Sequence, residues 1–219
     1  MDQALREPPG LLAAGGDLAP ARLLAAYERG IFPWYSSQQP ILWWSPDPRM
    51  VLLPEELKIS RSLRKTLRNG PYATRTDSAF EAVIEACAGP RRSGTDTWLN
   101  REMIASYVEL HRRGFGHSVE TYRAQRLVGG LYGIHLGGVF FGESMFSHER
   151  DASKVALARL VEECRVRGIR LIDCQVASSH LASLGAREIP RSEFVMLLRR
   201  YARRIASGSW AADPAANGR

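Results

Sequence analysis

The chain has 219 residues, 45% of them hydrophobic and 24% charged, with a formal charge of +7 and a pI of about 9.7. These are the proportions of an ordinary soluble globular protein, long enough for one large domain or for one domain with a smaller partner. They exclude a membrane span, since no run approaches the roughly 18 apolar residues a bilayer needs, and the opening MDQALREPPGLLAAGG has no signal-peptide pattern. Cys87, Cys164 and Cys174 are unclustered and odd in number, which argues for reduced thiols in a cytosolic protein and against disulfides or a zinc site. The positive balance fits a polyanion partner, RNA or DNA before a membrane; a basic protein with no such partner is the plainer alternative.

The first sixty residues are punctuated by Pro and Gly. Pro20–Arg29 predicts a short helix, with Pro in its first turn and Gly30 just past its end. Ile31–Arg49, IFPWYSSQQPILWWSPDPR, is irregular and aromatic: a plug between two layers of core, or a wall for a flat ligand. A domain boundary is expected near residue 60, giving a small aromatic-rich unit over 1–60 and a larger one over 61–205. The tail from residue 206 to 219 is expected to fray.

In the larger unit, Tyr72–Thr76 predicts a strand. Ser78-Ala-Phe-Glu81 has the pattern of a capping box opening a helix with Phe80, Val83, Ile84 and Cys87 on its apolar face. Asn100 is placed to cap a second helix that Gly114 ends. Three strands follow as a meander, His117–Arg123, Leu127–His135 and Val139–Phe146, with turns at Ala124-Gln125 and Gly137-Gly138. A helix over Ala152–Arg167 leads to the apolar strand Ile169–Val176, which a crossover makes parallel to an earlier strand. A short helix near Ser179–Leu184 and a strand plus helix over Ala186–Arg204 complete the order. This is an α/β (α+β) arrangement. Its order of strand, two helices, meander, helix and strand is that of the GNAT-type acyltransferase fold, in which the acyl donor lies between the strands flanking the crossover helix. Fold alone does not set chemistry.

Two carboxylates stand in apolar strand context, where a charge is costly unless paired or used. Asp173 and Gln175, two apart in Leu-Ile-Asp-Cys-Gln-Val, are expected to share a strand face. Asp173 is either a buried carboxylate satisfied by backbone N–H groups or an Arg, or a group poised beside a reacting amine with Gln175 as its partner. Glu143, in Gly-Glu-Ser-Met-Phe-Ser, is either half of an internal ion pair or a second functional carboxylate. The segment Ser147–Lys154, where CoA enzymes of this fold keep a glycine-rich pyrophosphate loop, contains no glycine, so acetyl-CoA is not the expected donor. His148-Glu149 has no second His at metalloprotease spacing, and Gly129-Gly130-Leu-Tyr-Gly133 lies in a strand pattern, away from any strand-to-helix turn. Arg61, Arg64, Lys65 and Arg68 make one positive helix face, and Arg199, Arg200, Arg203 and Arg204 another. Each is a solvated face or a track for a phosphate backbone.

IFPWY, ILWWSPDPR, GGLYG, FFGESMFS, ASKVAL, LIDCQV and SLGAREIPR, in this order over most of the chain, resemble the leucyl/phenylalanyl-tRNA–protein transferase family. The resemblance implies a small N-terminal domain and a GNAT-like catalytic domain in a monomeric, cytoplasmic enzyme. Such an enzyme moves Leu or Phe, with Met as a third candidate, from aminoacyl-tRNA to proteins beginning with Arg or Lys, marking them for degradation by an N-degron route. It implies that the terminal adenosine lies between Trp34 and Trp98, with Tyr27 and Tyr107 nearby. Leu131, Phe140, Met145 and Ile172 would form the aminoacyl side-chain pocket, and Arg61, Arg64, Lys65 and Arg68 are the choice for the tRNA backbone. The reaction, aminolysis of an ester, runs downhill and needs no CoA, ATP, metal or other cofactor. Asp173 with Gln175 would take the proton of the attacking amine, and Glu143 would hold the substrate amine or the acceptor's cationic side chain; both carboxylates acting only in positioning is the alternative.

Overall fold

Short stretches cut by Pro and Gly build a small three-stranded sheet, and longer alternating runs build a seven-stranded one. The computed structural model describes residues 4–5, 7–89, 99–205 and 208–210. The first unit holds β1 (Leu11–Ala14), α1 (Pro20–Tyr27), β2 (Phe32–Pro33) and β3 (Leu42–Trp44), with antiparallel strand order β1-β3-β2. Next come β4 (Arg49–Leu52), a 3₁₀ turn at Pro54–Glu56, α2 (Arg61–Asn69), β5 (Ala73–Thr76), α3 (Phe80–Ala88) and α4 (Arg101–Arg112). The meander is β6 (Gly116–Arg123), β7 (Arg126–Leu136) and β8 (Val139–Ser147). It is followed by α5 (Ala152–Arg167), β9 (Leu171–Gln175), α6 (Ser179–Ser183), β10 (Arg187–Ile189) and α7 (Arg191–Tyr201). Among the described residues no helix is long and apolar enough to cross a membrane.

The large sheet runs β10-β4-β9-β8-β7-β6-β5, with β8 and β9 parallel, as the crossover required, and its other pairs antiparallel. The fold is therefore the expected α/β one, with α5 as its crossover. β4 corrects the boundary expected near residue 60. Arg49–Leu52 is buried at every position and lies between β9 and β10, so the larger sheet begins at Arg49. Its four residues show no alternation because both faces of a central strand are covered.

Local chemistry accounts for the helix ends. Asn100 caps α4 by accepting from the Met103 N–H at 2.9 Å. The capping box read at Ser78 does not form: Ser78 donates its hydroxyl to Glu120 Oε2 at 2.8 Å, and α3 starts after Ala79 without a side-chain cap. A buried carboxylate on β6 has outcompeted the helix N-terminus for the hydroxyl.

Side chains alternate across the sheet into two cores. Val51, Tyr132, Ile134, Phe141 and Leu171 pack with α1, α3, α4 and α7, while Met50, Leu52, Leu131, Phe140 and Ile172 pack with α2 and α5. The second core also takes in Trp210, 1% exposed. That corrects the expectation of fraying from residue 206 at this position: a large ring is buried there because the underside of β6, β7 and β8 offers it His117, His135 and Phe140 as neighbours.

Two irregularities interrupt the ladders near the middle of the sheet. In β7–β8, Tyr132 faces Ser144 while Gly133 faces Gly142, leaving Glu143 as an extra residue; in β4–β9, Met50 faces Gln175 while Val51 faces Asp173, leaving Cys174 extra. These are β-bulges, which bend a strand and re-aim its side chains. Gly133 sits opposite the first, and a Cβ there would lie 2.2 Å from the Phe141 carbonyl oxygen and 2.6 Å from the Phe140 ring. Gly133→Ala is therefore expected to cost roughly 1–3 kcal/mol, the range for overpacking a filled site, read as a lowered urea midpoint at unchanged slope.

Candidate active site

β8 and β9 run side by side only from Val139–Leu171 to Phe141–Asp173, after which β9 keeps only its pairing with β4. Beyond that last pair the strands part and leave a cleft of about 350 Å³. Its walls are the residues just past the split, Gly142 to Met145 on one side and Cys174 to Val176 on the other. The bulge at Glu143 resets the alternation of β8, so that Met145 joins Phe140 on the α5 side while Glu143 turns toward α1 and α4.

Leu131, Phe140, Met145 and Ile172, the four residues expected to hold an aminoacyl side chain, all line this cleft and all belong to the core on the α5 side. Leu157 and Leu160 from α5 close the same wall. Trp34 stands at the mouth, 43% exposed, with its carbonyl accepting from Trp44 Nε1 at 2.6 Å and its ring 6.0 Å from that of Trp44. Trp43 is buried and donates to the Gly15 carbonyl at 2.9 Å. The aromatic stretch thus divides its labour: Trp43 and Trp44 brace, and Trp34 presents a face to solvent. Trp98 lies outside the described residues. Tyr27 and Tyr107 are fully buried, with rings packed on Phe141 and Tyr132, so neither offers a stacking surface; what they bring to the site is their hydroxyls.

Those hydroxyls meet Glu143. Tyr27 donates to Oε1 and Tyr107 to Oε2, each at 2.7 Å, and the two hydroxyl oxygens are themselves 2.7 Å apart. Gln175 Nε2 donates to Oε1 at 2.7 Å. Each hydroxyl carries one proton, so an ionised Glu143 leaves two protons for three contacts within the Tyr27–Tyr107–Glu143 triangle. A protonated Glu143 supplies the third by donating to one hydroxyl, which then turns its own proton to the other tyrosine. Burial acts in the same sense: desolvation, aided by the charge of Asp173, outweighs the donors and pushes the Glu143 carboxyl up to about 7.

Asp173, expected as the proton acceptor, is committed elsewhere. Arg49 grips it from Nε at 2.8 Å and Nη2 at 2.6 Å, in a pair with side chains 1% and 0% exposed. The Arg49 guanidinium lies between the rings of Phe32 and Phe194, at 4.8 and 4.6 Å. Asp173 Oδ1 also accepts from the Gln175 N–H at 2.9 Å, and Gln175 has φ of 64°, a left-handed conformation that a side chain rarely adopts. The pair Arg49–Asp173 therefore holds the strained residue that delivers its amide to Glu143. The face-sharing read from strand alternation stops at the Cys174 bulge. Sequence reading missed Arg49; the signal for it was a buried Asp in need of a cation, with Arg49 at the end of the irregular aromatic stretch read as a plug or a wall.

The turn leading into α5 carries two carboxylates, Glu149 and Asp151, and both are paired with cations. Asp151 binds Lys154 at 2.9 Å, and Glu149 binds Arg123 and Arg126 at 2.8 and 2.7 Å. Arg61, Arg64, Lys65 and Arg68 are exposed on α2, which buries Leu63 toward α5, and among the described residues no carboxylate pairs with them.

Comparison with known proteins follows the same division of the chain. The family described as Leucyl/phenylalanyl-tRNA protein transferase matches residues 51–199, and its N-terminal domain description matches residues 16–47. The chain is 60% identical over 198 residues to a leucyl/phenylalanyl-tRNA–protein transferase of Nitrosomonas eutropha, covering 90% of this chain and 85% of that one. It is 58% identical over 210 residues to one from Pseudomonas entomophila, covering 96% and 93%. A GCN5-related N-acetyltransferase from Kribbella flavida aligns over 75% of this chain and 58% of its own at 14% identity and a TM-score of 0.42, too low to bear on activity.

The buried carboxyl has a consequence for stability. Below about pH 4.5 Glu143 is protonated folded and unfolded alike; from there to about pH 7 only the unfolded chain ionises, so stability falls as pH rises across that window. Glu143→Gln removes this loss. Relative to the parent, the variant should gain stability between pH 4.5 and 8, by up to roughly 3 kcal/mol, measured as the difference in urea unfolding free energy at the two pH values.

Proposed function

Because the chain belongs to the leucyl/phenylalanyl-tRNA–protein transferase family, we propose that the cleft between β8 and β9 holds the aminoacyl ester of Leu-tRNA or Phe-tRNA, with Met as a third donor side chain. The acceptor is the α-amine of a protein beginning with Arg or Lys, and the product is a protein marked for degradation by an N-degron route in the cytoplasm. The protein acts as a monomer. The observation that carries this reading is one cleft with an apolar end at Leu131, Phe140, Met145 and Ile172 and a carboxyl at Glu143. The apolar end takes an unbranched-at-Cβ side chain. A partly exposed Trp34 at the mouth stacks on the terminal adenine, with Trp98 as the second stacking residue. The exposed basic face of α2 takes the tRNA backbone, where charge gives affinity without sequence reading.

In this reaction the α-amine attacks the ester carbonyl, the C–N bond forms, and the 3′-terminal ribose oxygen leaves with a proton. An α-amine of pKa near 8 must lose one proton on the way. Glu143 is the better acceptor, since its carboxyl titrates near 7 and lines the cleft, whereas both oxygens of Asp173 are taken by Arg49. With its Nε2 on Glu143, Gln175 keeps its amide oxygen as the acceptor that orients the amine. Asp173 and Arg49 hold Gln175 in place. No CoA, ATP or metal enters: the bond exchanged is an ester for an amide, and the segment Ser147–Lys154 before α5 has no glycine with which to cradle a pyrophosphate.

Transfer of labelled Leu or Phe from charged tRNA to a peptide beginning with Arg is the direct test; no transfer would overturn the reading. Product formation should rise with pH through a midpoint near 7. In Glu143→Gln it should fall by roughly 10²–10⁴-fold, the usual share of a positioned proton acceptor. Trp34→Ala should raise KM for aminoacyl-tRNA by roughly 5- to 150-fold with little change in urea midpoint, the loss expected for one base–aromatic stack.

A further inference from the structure

Phe140 forms the back of the apolar end of the cleft, and its own position needs a cause. On one side its ring lies against Gly133 of β7, so closely that a Cβ there would come within 2.6 Å of it. On another lies Trp210, with ring centroids 5.7 Å apart and planes inclined by 37°. Trp210 lies well beyond the residues matched to the catalytic family description, which end at 199, and it does not reach the cleft wall.

Its seat is built independently of the cleft. The indole stacks on His117 at 4.3 Å with planes 11° apart, meets His135 edge-on at 5.3 Å, and carries the Arg167 guanidinium of the last turn of α5 at 4.8 Å. Its backbone N–H donates to Asp77 Oδ2 and its carbonyl accepts from Thr76 Oγ1. Asp77 in turn binds His117 Nδ1 at 2.9 Å. The ring is thus pinned by β5, β6 and α5, and Phe140 rests on it.

We propose that Trp210 is a specificity-setting positioning residue: by backing Phe140 it fixes the depth of the aminoacyl side-chain pocket and holds it to groups of Leu and Phe size. The proposal rests on the aminoacyl reading of the cleft. Close packing transmits a missing ring as a void into which the neighbour relaxes. Removing Trp210 opens space behind Phe140 on the side away from the cleft, and withdrawal into it deepens the pocket and favours longer side chains.

The test is a competition between leucyl- and phenylalanyl-tRNA for one pool of enzyme, with tryptophanyl-tRNA as a third donor, in Trp210→Ala, Trp210→Leu and Trp210→Phe. Because all donors compete for the same enzyme molecules, product ratios are independent of how much of a variant is folded, which a purely structural role would leave unmoved. The Phe:Leu product ratio is expected to rise by roughly 10-fold or more in the Ala and Leu forms, the lower end of the selectivity carried by one methylene. Transfer of Trp should appear in them, and the Phe form should stay near the parent. Where the Ala form does not fold, the Leu form decides. An unchanged ratio and no Trp transfer in an active variant would overturn the role of Trp210, whereas absence of transfer by the unaltered protein would overturn the reading of the cleft itself.

Discussion

The parting of β8 from β9 is the constraint on which the rest of the structure depends. A parallel pair joined by α5 would ordinarily stay zipped along the shorter strand. Instead the pairing stops at Phe141–Asp173 and each strand carries an extra residue immediately past that point, Glu143 in one and Cys174 in the other. Across its bulge each strand keeps its other neighbour, β8 staying paired with β7 and β9 with β4. The gap this leaves passes through the sheet, so one cleft touches both cores. The α5-side core supplies apolar walls, and the opposite core supplies Tyr27, Tyr107 and the Glu143 carboxyl.

Holding strands apart requires compensation, and the Arg49–Asp173 pair supplies it. A buried ion pair is a weak source of net stability, but losing one partner leaves an uncompensated charge in the interior, at roughly 3–5 kcal/mol. That asymmetry fixes geometry more than it adds stability. Asp173 Oδ1, already bonded to Arg49 Nε, takes a further bond from a Gln175 N–H that left-handed backbone presents to it, so the pair and the strained turn support each other. Arg49 comes from the first strand after the small domain, and its guanidinium lies between Phe32 of that domain and Phe194 of α7. The small domain, with Tyr27 on Glu143 and Phe32 on Arg49, is therefore part of the site.

Periodicity revealed the helices, the meander and the crossover because those elements obey the 3.6 and 2.0 repeats that sequence reading assumes. What it hid are the places where the repeat fails. Arg49–Leu52 reads as the end of a Pro-rich run, since a strand covered on both faces shows no alternation. The bulges at Glu143 and Cys174 are invisible because alternation counts every residue as paired. Asp173 stood out correctly as a carboxylate in apolar company, and one of the explanations open for it, satisfaction by an Arg and a backbone N–H, is the arrangement found. Tyr27 and Tyr107 came to notice through family resemblance, which puts them near a ligand and does not show that their hydroxyls serve a carboxyl. Trp210 was lost to composition: Ala, Gly and Pro around it speak of a loose end, and only the shape of the sheet's underside says otherwise.

The division of the cleft between two cores also separates two kinds of requirement. An apolar pocket discriminates by volume, through contacts that fall off within an ångström and depend on what stands behind them. A proton acceptor depends on dielectric and on the count of donors around it. Were Glu143 on the same face as Phe140 and Met145, each change of side-chain volume would also change the solvation of the carboxyl. The extra residue in β8 prevents this. Alternation from Phe141 carries Glu143 toward the tyrosines, and the extra residue then shifts Met145, which would otherwise share that face, toward α5, so that the pocket and the carboxyl lie within two residues of each other in sequence yet answer to different surroundings.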